Sequence, residues 1–331
     1  MNISLDYAQR PRLFKARGGH YESWFIRANH PREPRAFWIR YTVFIPAGND
    51  AAQLGEVWAI YFDGARAHPI AAQEDIPWAQ CDVRADQLDL RLGESRLVSG
   101  NAEGRAQGSR HLLQWQLQYR GGEEPLLLLP AASYERGFPI AKALVCRPLV
   151  RFNGHLLVDG ERIAIEDWIG SENHNWGQRH TDAYAWGQVC GFDNDERAFL
   201  ECSSARLKLG PLWSPLLTLA VLRYEGRVFA FNRVERSWRQ KAQYGAGHWT
   251  FTSTRDGNRL HVEMSARAQD TIALRYRNPP GGIKTCFNSK LGHCQVLLER
   301  PSQPPVQLHS ASRAAFEILT DAPPPDGVYG N

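Results

Sequence analysis

The chain has 331 residues, 43% hydrophobic and 22% charged, with a formal net charge of +4; the length is a prior for two domains and the composition that of an ordinary soluble protein with ample core material. No run of Lys or Arg exceeds two residues, so the basic stripe that nucleic-acid binding needs is absent, and the longest apolar runs, such as that around residues 126–129, are far too short for an integral membrane segment. Eleven Trp, eleven Tyr and fourteen Phe against two Met favour strands over helices and would line a roomy apolar pocket.

Residues 1–20 read as a lead-in without the apolar region of a secretory signal, and Pro11 and the Gly18-Gly19 pair mark the entry to order. Residues 21–29 form a first strand, followed by a turn at Pro31 and Pro34. In residues 36–45, Phe37, Ile39, Tyr41, Val43 and Ile45 alternate with Trp38, Arg40, Thr42 and Phe44, which is a strand pattern. A turn at residues 46–50 leads to another strand, 55–63, closed by Gly64. Shorter and more polar strands follow at 88–92 and 95–98. At 111–119, Leu113, Trp115, Leu117 and Tyr119 oppose Gln114, Gln116 and Gln118, as in a half-buried antiparallel strand. Gly121-Gly122 and Pro125 end it. Residues 144–150, and 155–158 with 162–165 around an Asp159-Gly160 turn, give a further hairpin. No long amphipathic helix is expected; residues 139–144 and 203–209 are the places for short helical turns.

Residues 168–193 read W-I-G-S-E-N-H-N-W-G-Q-R-H-T-D-A-Y-A-W-G-Q-V-C-G-F-D. A polar loop carrying Glu172, Asn173, His174, Asn175, His180 and Asp182 runs into a strand with Tyr184, Trp186, Gln188 and Cys190 on one face. Gly170, Gly177, Gly187 and Gly191 signal sharp turns or close approaches. The stretch is too polar to be buried without partners and too rich in Trp to be left in water. Residues 171–184 are therefore expected in a cleft between two β-domains, with Trp176 or Trp186 against residues 21–29. The alternative is an aromatic corner whose polar groups are simply satisfied.

Beyond Asp193 the pattern of aromatic strand, turn and apolar strand returns at 198–203, 216–224, 227–232, 249–253, 259–264, 271–276, 294–299 and 314–319, and the tail from Ala322 reads as extended chain. The chain is all-β: an N-terminal domain over 1–180 and a C-terminal one over 181–331, their likeness a weak sign of duplication. Cys81, Cys146, Cys190, Cys202, Cys286 and Cys294 contain no C-x-x-C pair. They are expected as buried reduced thiols of a cytoplasmic protein, with a Cys286–Cys294 bridge across a hairpin left open.

G-H-Y-E-S-W-F-I-R-A-N at 19–29, G-E-V-W-A-I-Y-F-D at 55–63, N-H-N-W-G at 173–177 and Y-A-W-G-Q at 184–188 resemble the family of hydroxyneurosporene synthase, the acyclic carotenoid 1,2-hydratase. The relatives of that family include tocopherol cyclase and the lipocalin-like pericyclases. The resemblance spans roughly residues 19–319 at the level of motifs. It implies two packed lipocalin-like β-barrel or half-barrel domains, an apolar pocket near their junction, and neither metal nor organic cofactor. Some relatives carry lipids without converting them, so the resemblance supports the fold more than the reaction.

Three residues stand out as catalytic candidates. Glu22 and Asp63 end or interrupt aromatic strands, where burial raises a carboxyl pKa and keeps the acid neutral for protonating a double bond. Asp63 reads equally as the start of an Asp-Gly turn. Arg27 and Arg40 are candidate partners that would keep such an acid ionised. His174 transfers a proton near neutral pH or, with Asn175, caps backbone between the domains. His180 and Asp182 share a face if extended, so that the Asp orients the imidazole, or they form a surface pair. Trp24, Trp58, Glu172, Asn175, Trp176, His180, Tyr184, Trp186 and Gln188 are the candidates for binding substrate. No H-x-H, H-E-x-x-H or Cys cluster suggests a metal, and no G-x-S-x-G elbow or phosphate-binding glycine pattern is present. The expected function is a cofactor-independent hydratase, cyclase or isomerase of an apolar unsaturated ligand. An acid protonates the ligand and aromatic faces hold the cation, or the pocket folds the ligand with Asn175 or Gln188 on a carbonyl. The alternative is a lipid- or pigment-binding protein without turnover.

Overall fold

The structure is a computed structural model that describes residues 3–13, 18–122, 124–245, 247–323 and 328–330; the core of the expected extended tail, 324–327, lies outside them. The first eleven strands are His20–Asn29 (β1), Arg35–Ile45 (β2), Leu54–Asp63 (β3), Ile70–Pro77 (β4), Cys81–Val83 (β5), Asp89–Leu92 (β6), Ser95–Val98 (β7), Asn101–Gln107 (β8), Leu112–Gly121 (β9), Lys142–Val158 (β10) and Glu161–Gly177 (β11). They form one antiparallel sheet in the order β4-β3-β2-β1-β11-β10-β9-β8-β7-β6-β5. The sheet curls into a nearly closed barrel: the Gln107 amide donates to Glu74 at 2.8 Å, so β8 meets β4.

The second sheet takes Ala183–Phe192 (β12), Asp195–Arg206 (β13), Leu217–Tyr224 (β16), Arg227–Phe231 (β17), Lys241–Gly245 (β18), His248–Arg255 (β19), Asn258–Ser265 (β20), Ile272–Arg277 (β21), Ile283–Arg300 (β22), Gln303–Thr320 (β23) and Tyr329–Gly330 (β24). Its path is β17-β16-β13-β12-β23-β22-β20-β19-β18, with β21 added on β22 and β24 on β21. Lys208–Leu209 (β14) and Leu212–Trp213 (β15) make a separate small hairpin. The fold is thus two lipocalin-like antiparallel β-domains packed together.

Alternation decides what each strand faces. Trp24, Ile26, Phe37, Ile39, Tyr41 and Val43 point into the first barrel. The residues between them, Phe25, Trp38, Trp58 and Ile60, point outward, where they pack on Trp186, Leu274, Tyr276, Cys286 and Leu319 of the second sheet. β1 is buried along its whole length because both its faces are covered. A separate core of Val189, Leu200, Trp249, Phe251 and Phe316 fills the second sheet.

Several expectations are corrected. Residues 139–144 and 203–209 hold no helix; β10 begins at Lys142, and β13 and β14 take the second stretch. The α-helix of the described residues is Leu5–Gln9 (α1), inside the lead-in, with the Ser4 hydroxyl capping Tyr7 N at 3.2 Å. Residues 171–177 are not loop but the end of a 17-residue strand. Gly170 marks a close approach: a Cβ there would lie 1.8 Å from the Arg27 carbonyl oxygen. All six cysteines are free. Cys286 and Cys294 share β22, about 26 Å apart at the rise of an antiparallel strand, so they lie on one strand and not across a hairpin from each other.

Candidate functional site

The pairing of β1 with β11 sets Trp24 opposite His174 and Glu22 opposite Trp176. His174 Nε2 lies 2.7 Å from one Glu22 oxygen, and His20 Nε2 lies 3.2 Å from the other. The amides of Arg12 and Leu13 donate to the same carboxylate at 2.7 and 2.6 Å. His174 Nδ1 meets the Ala8 carbonyl at 2.7 Å, and the ring is stacked on Trp24 and tilted against Trp176, centroids 4.6 Å from each. Burial works to raise the Glu22 carboxyl, but the hydrogen bonds and electrostatic attraction of His174 and His20 outweigh it and hold it down at about 2. Glu22 is therefore an ion sealed beneath α1, not a neutral acid. This corrects the role expected for it.

Asp63 is elsewhere. Glu22 faces Val43 near one end of β2, whereas Asp63 faces Arg35 at the other. Its carboxylate accepts from the Ala65 amide at 3.0 Å, with Arg35 and Arg66 at 3.7 and 3.8 Å, which makes it a turn residue with surface ion partners. Glu172 also points into the first barrel, where it accepts from Gln9 and from the Tyr119 hydroxyl at 2.6 Å; burial raises its pKa. Trp176 packs beside Tyr134 and beneath the Arg12 guanidinium, on the side of α1. Trp58 sits in the core between the sheets, edge-on to Tyr276.

Four expected residues do come together. Asn175, His180, Tyr184 and Trp186 line a cavity of about 190 Å³ where the outer face of β1 and β2 meets the second sheet. Trp186 meets Phe25 of β1 edge-on at 6.2 Å. Tyr21, Phe25, Trp38 and Tyr276 complete the aromatic wall, and Leu128, Phe138 and Leu217 close it with aliphatic and aromatic surface. His180 is stacked on Tyr21 at 4.0 Å, and its Nε2–H donates to the Arg277 carbonyl at 3.1 Å. Burial and the nearby Arg40 charge push it down to about 3, so the ring is neutral and its other nitrogen is an acceptor. Asp182 does not orient it; that carboxylate accepts from the Lys208 amide at 2.8 Å.

Gln188 stands behind the wall rather than in it. Its carbonyl oxygen accepts from Arg27 Nε at 3.0 Å and from Ser171 at 2.8 Å, and its amide nitrogen donates to Asn173 at 2.8 Å and Glu201 at 2.7 Å. Glu201 also accepts from the Trp186 indole at 2.9 Å, and burial pushes its carboxyl up to about 7. Lys290 pairs with Glu317 at 2.8 Å and lies 5.5 and 5.6 Å from the rings of Trp38 and Trp186. Arg27 and Arg40 pair with neither Glu22 nor Asp63. Arg40, Glu201 and Glu317 were not singled out as site residues. Their signal was present, since each stands between apolar or small neighbours: Arg40 between Ile39 and Tyr41, Glu201 between Leu200 and Cys202, Glu317 between Phe316 and Ile318. Among the described residues no cluster of His, Cys, Asp or Glu has a metal-binding arrangement.

No protein-family profile and no curated protein matches the chain. Solved structures do. A protein assigned as AttH from Nitrosomonas europaea is 14% identical, with 91% of this chain and 92% of that one covered at a TM-score of 0.55. Kievitone hydratase from Nectria haematococca is 11% identical over 92% and 90%, at 0.53. CghA is 12% identical over 92% and 90%, at 0.52. At these identities the likeness is one of fold, and it extends over nearly the whole of each chain.

Proposed function

We propose that the protein is a cofactor-independent enzyme of the hydratase or cyclase type, acting on an apolar, unsaturated small molecule of isoprenoid, carotenoid-like or polyketide character held in the junction cavity. The observation that carries this reading is the lining: aromatic walls from both sheets, with Arg40, Asn175, His180 and Tyr184 facing the same space. That a structure of the same fold belongs to a kievitone hydratase supports the reaction class. The geometry favours substrate folding over protonation by a carboxylic acid, because Glu22 is ionised and lies on the other face of β1, and Glu317, the carboxylate on the cavity, is held by Lys290 and Asn288. Donors on a conjugated carbonyl make its β-carbon electrophilic. Water then adds oxygen there and a proton at the α-carbon, or an internal double bond closes a ring. One well-placed donor to a developing oxyanion contributes about 3 kcal/mol, roughly a hundredfold in rate.

The test is turnover of a panel of conjugated enones and polyenes, read by mass spectrometry. Asn175→Leu and Tyr184→Phe are expected to lower kcat by roughly 10- to 100-fold with the fold intact. The second reading, a carrier without turnover, draws on the remoteness of Glu22 and His174 from the cavity. Recovery of every loaded compound unchanged would replace the enzyme reading by that one.

A further inference from the structure

Arg40 is 6% exposed, lies mid-strand on β2 between Phe25 of β1 and Trp58 of β3, and lines the junction cavity. Its guanidinium lies 4.4 Å from the centre of the Tyr276 ring, and Nη2 donates to the Ser23 hydroxyl at 2.7 Å. Nε is buried without any acceptor, and no carboxylate of the described residues lies within ion-pair distance. The other charges on the cavity already have partners. Glu317 is held by Lys290 and Asn288, and the Lys142 ammonium donates to the carbonyls of Arg136 and Pro139 at 2.8 and 3.0 Å. Glu56, whose field reaches Arg40, is bonded by Arg277, which also clamps Asp75. Taking a guanidinium out of water without a counter-ion is costly, and a protein tolerates it where a ligand supplies the missing acceptor. Beside Arg40 stand the hydroxyl-bearing Tyr21 and Tyr184 and the neutral ring of His180.

We infer that the cavity takes an amphipathic ligand whose apolar body lies against the aromatic wall and whose head is an anionic oxygen, a carboxylate or an ionised enol, bound by Arg40. This rests on the junction cavity being the ligand site and narrows its ligand class. Arg40 then sets specificity, favouring acidic over neutral ligands of the same length.

The experiment uses the full chain and cis-parinaric acid, a conjugated fatty acid that fluoresces in apolar sites, against its methyl ester. Energy transfer from tryptophan reports occupancy of the aromatic wall. A charge-assisted hydrogen bond in a largely apolar cavity predicts that the acid binds roughly 10- to 100-fold tighter than the ester. The gap should close as the pH falls below the range in which the carboxylate is ionised, and Arg40→Met should abolish it while Arg40→Lys keeps part. Should Arg40→Met fail to fold, the acid–ester comparison and its pH dependence on the native protein decide alone. A long-chain acylated cyclic β-diketone, compared with its enol ether, tells enolate from carboxylate: the larger gap of the two pairs names the head group. Equal affinity for charged and neutral partners in both pairs overturns the assignment and leaves the cavity reading standing. Failure of all four probes to bind overturns both.

Discussion

Glu22 and Glu201 are both fully buried glutamates, and their surroundings push them in opposite directions. Glu22 accepts from two backbone amides and two imidazoles, so its folded pKa falls below the ordinary 4.5 to about 2. The stability it contributes is present above pH 4.5 and is lost as the pH falls through 2. Glu22→Gln removes the charge that His174 and His20 face. It should cost about 3 to 5 kcal/mol at neutral pH, measured by urea unfolding, because breaking one side of a buried pair leaves the other uncompensated. A loss below 1 kcal/mol would contradict this account. Glu201 is held by two neutral donors, and burial prevails, so its folded pKa is raised to about 7. Its contribution is complete below pH 4.5 and disappears as the pH rises through 7. The difference in stability between the native protein and Glu201→Gln should therefore shift in favour of the variant across that window. A difference independent of pH from 4.5 to 8 would place the Glu201 pKa elsewhere.

Strand β11 carries Glu172, His174 and Trp176 on one face and Ser171, Asn173 and Asn175 on the other, so one element serves two sites. Its contact with β1 depends on Gly170, where the Arg27 carbonyl occupies the place a Cβ would need. Gly170→Ala must either part the two strands or rotate the Arg27 peptide. Overpacking of this kind costs about 1 to 3 kcal/mol, and the variant should melt several degrees lower and lose part of the hydrogen bonding of Arg27 to Gln188. An unchanged melting temperature would show that the strands yield freely there. Helix α1 acts just as locally. Its Ala8 and Gln9 carbonyls accept from His174 and Trp24, and the Gln9 side chain donates to Glu172. This short segment supplies partners to the polar groups inside the first barrel.

The two sheets are joined by a packed apolar layer with charged groups threaded through it. Phe25, Trp38 and Trp58 meet Trp186, Leu274 and Leu319, while Arg27 and Asn29 of β1 bond Gln188 and the Lys290 and Arg313 carbonyls across the junction. Separating the sheets would expose these rings and strand the buried polar groups, so neither half is expected to persist when the other unfolds. Far-ultraviolet circular dichroism and tryptophan emission should trace a single coincident unfolding transition. Two resolved transitions would mean that the junction is weaker than its burial implies. The cavity lies in this layer, so substitutions that loosen it are expected to weaken ligand binding before they unfold the chain.

Strand character was legible because its cause is local: the alternation at 36–45 and 113–119 is written in consecutive residues, and the Asp63-Gly64 turn in two of them. The concentration of site residues in 168–193 was legible for the same reason, since Asn175, His180, Tyr184 and Trp186 are neighbours in the chain as they are around the cavity. What alternation could not tell was which face of β1 and β2 looks into the barrel, because Trp24 and Phe25, or Phe37 and Trp38, are both apolar; only the arrival of the second sheet decides. The ionisation of Glu22 depends on His174, 152 residues away, and on two amides of a segment with no periodic signal. In the sequence Arg40, like Arg27, is a candidate partner for an acid on a neighbouring aromatic strand. The folded chain leaves its guanidinium at the cavity without a carboxylate partner, for a charge finds its counter-ion through space, and distance in space is set by sheet packing rather than by order along the chain.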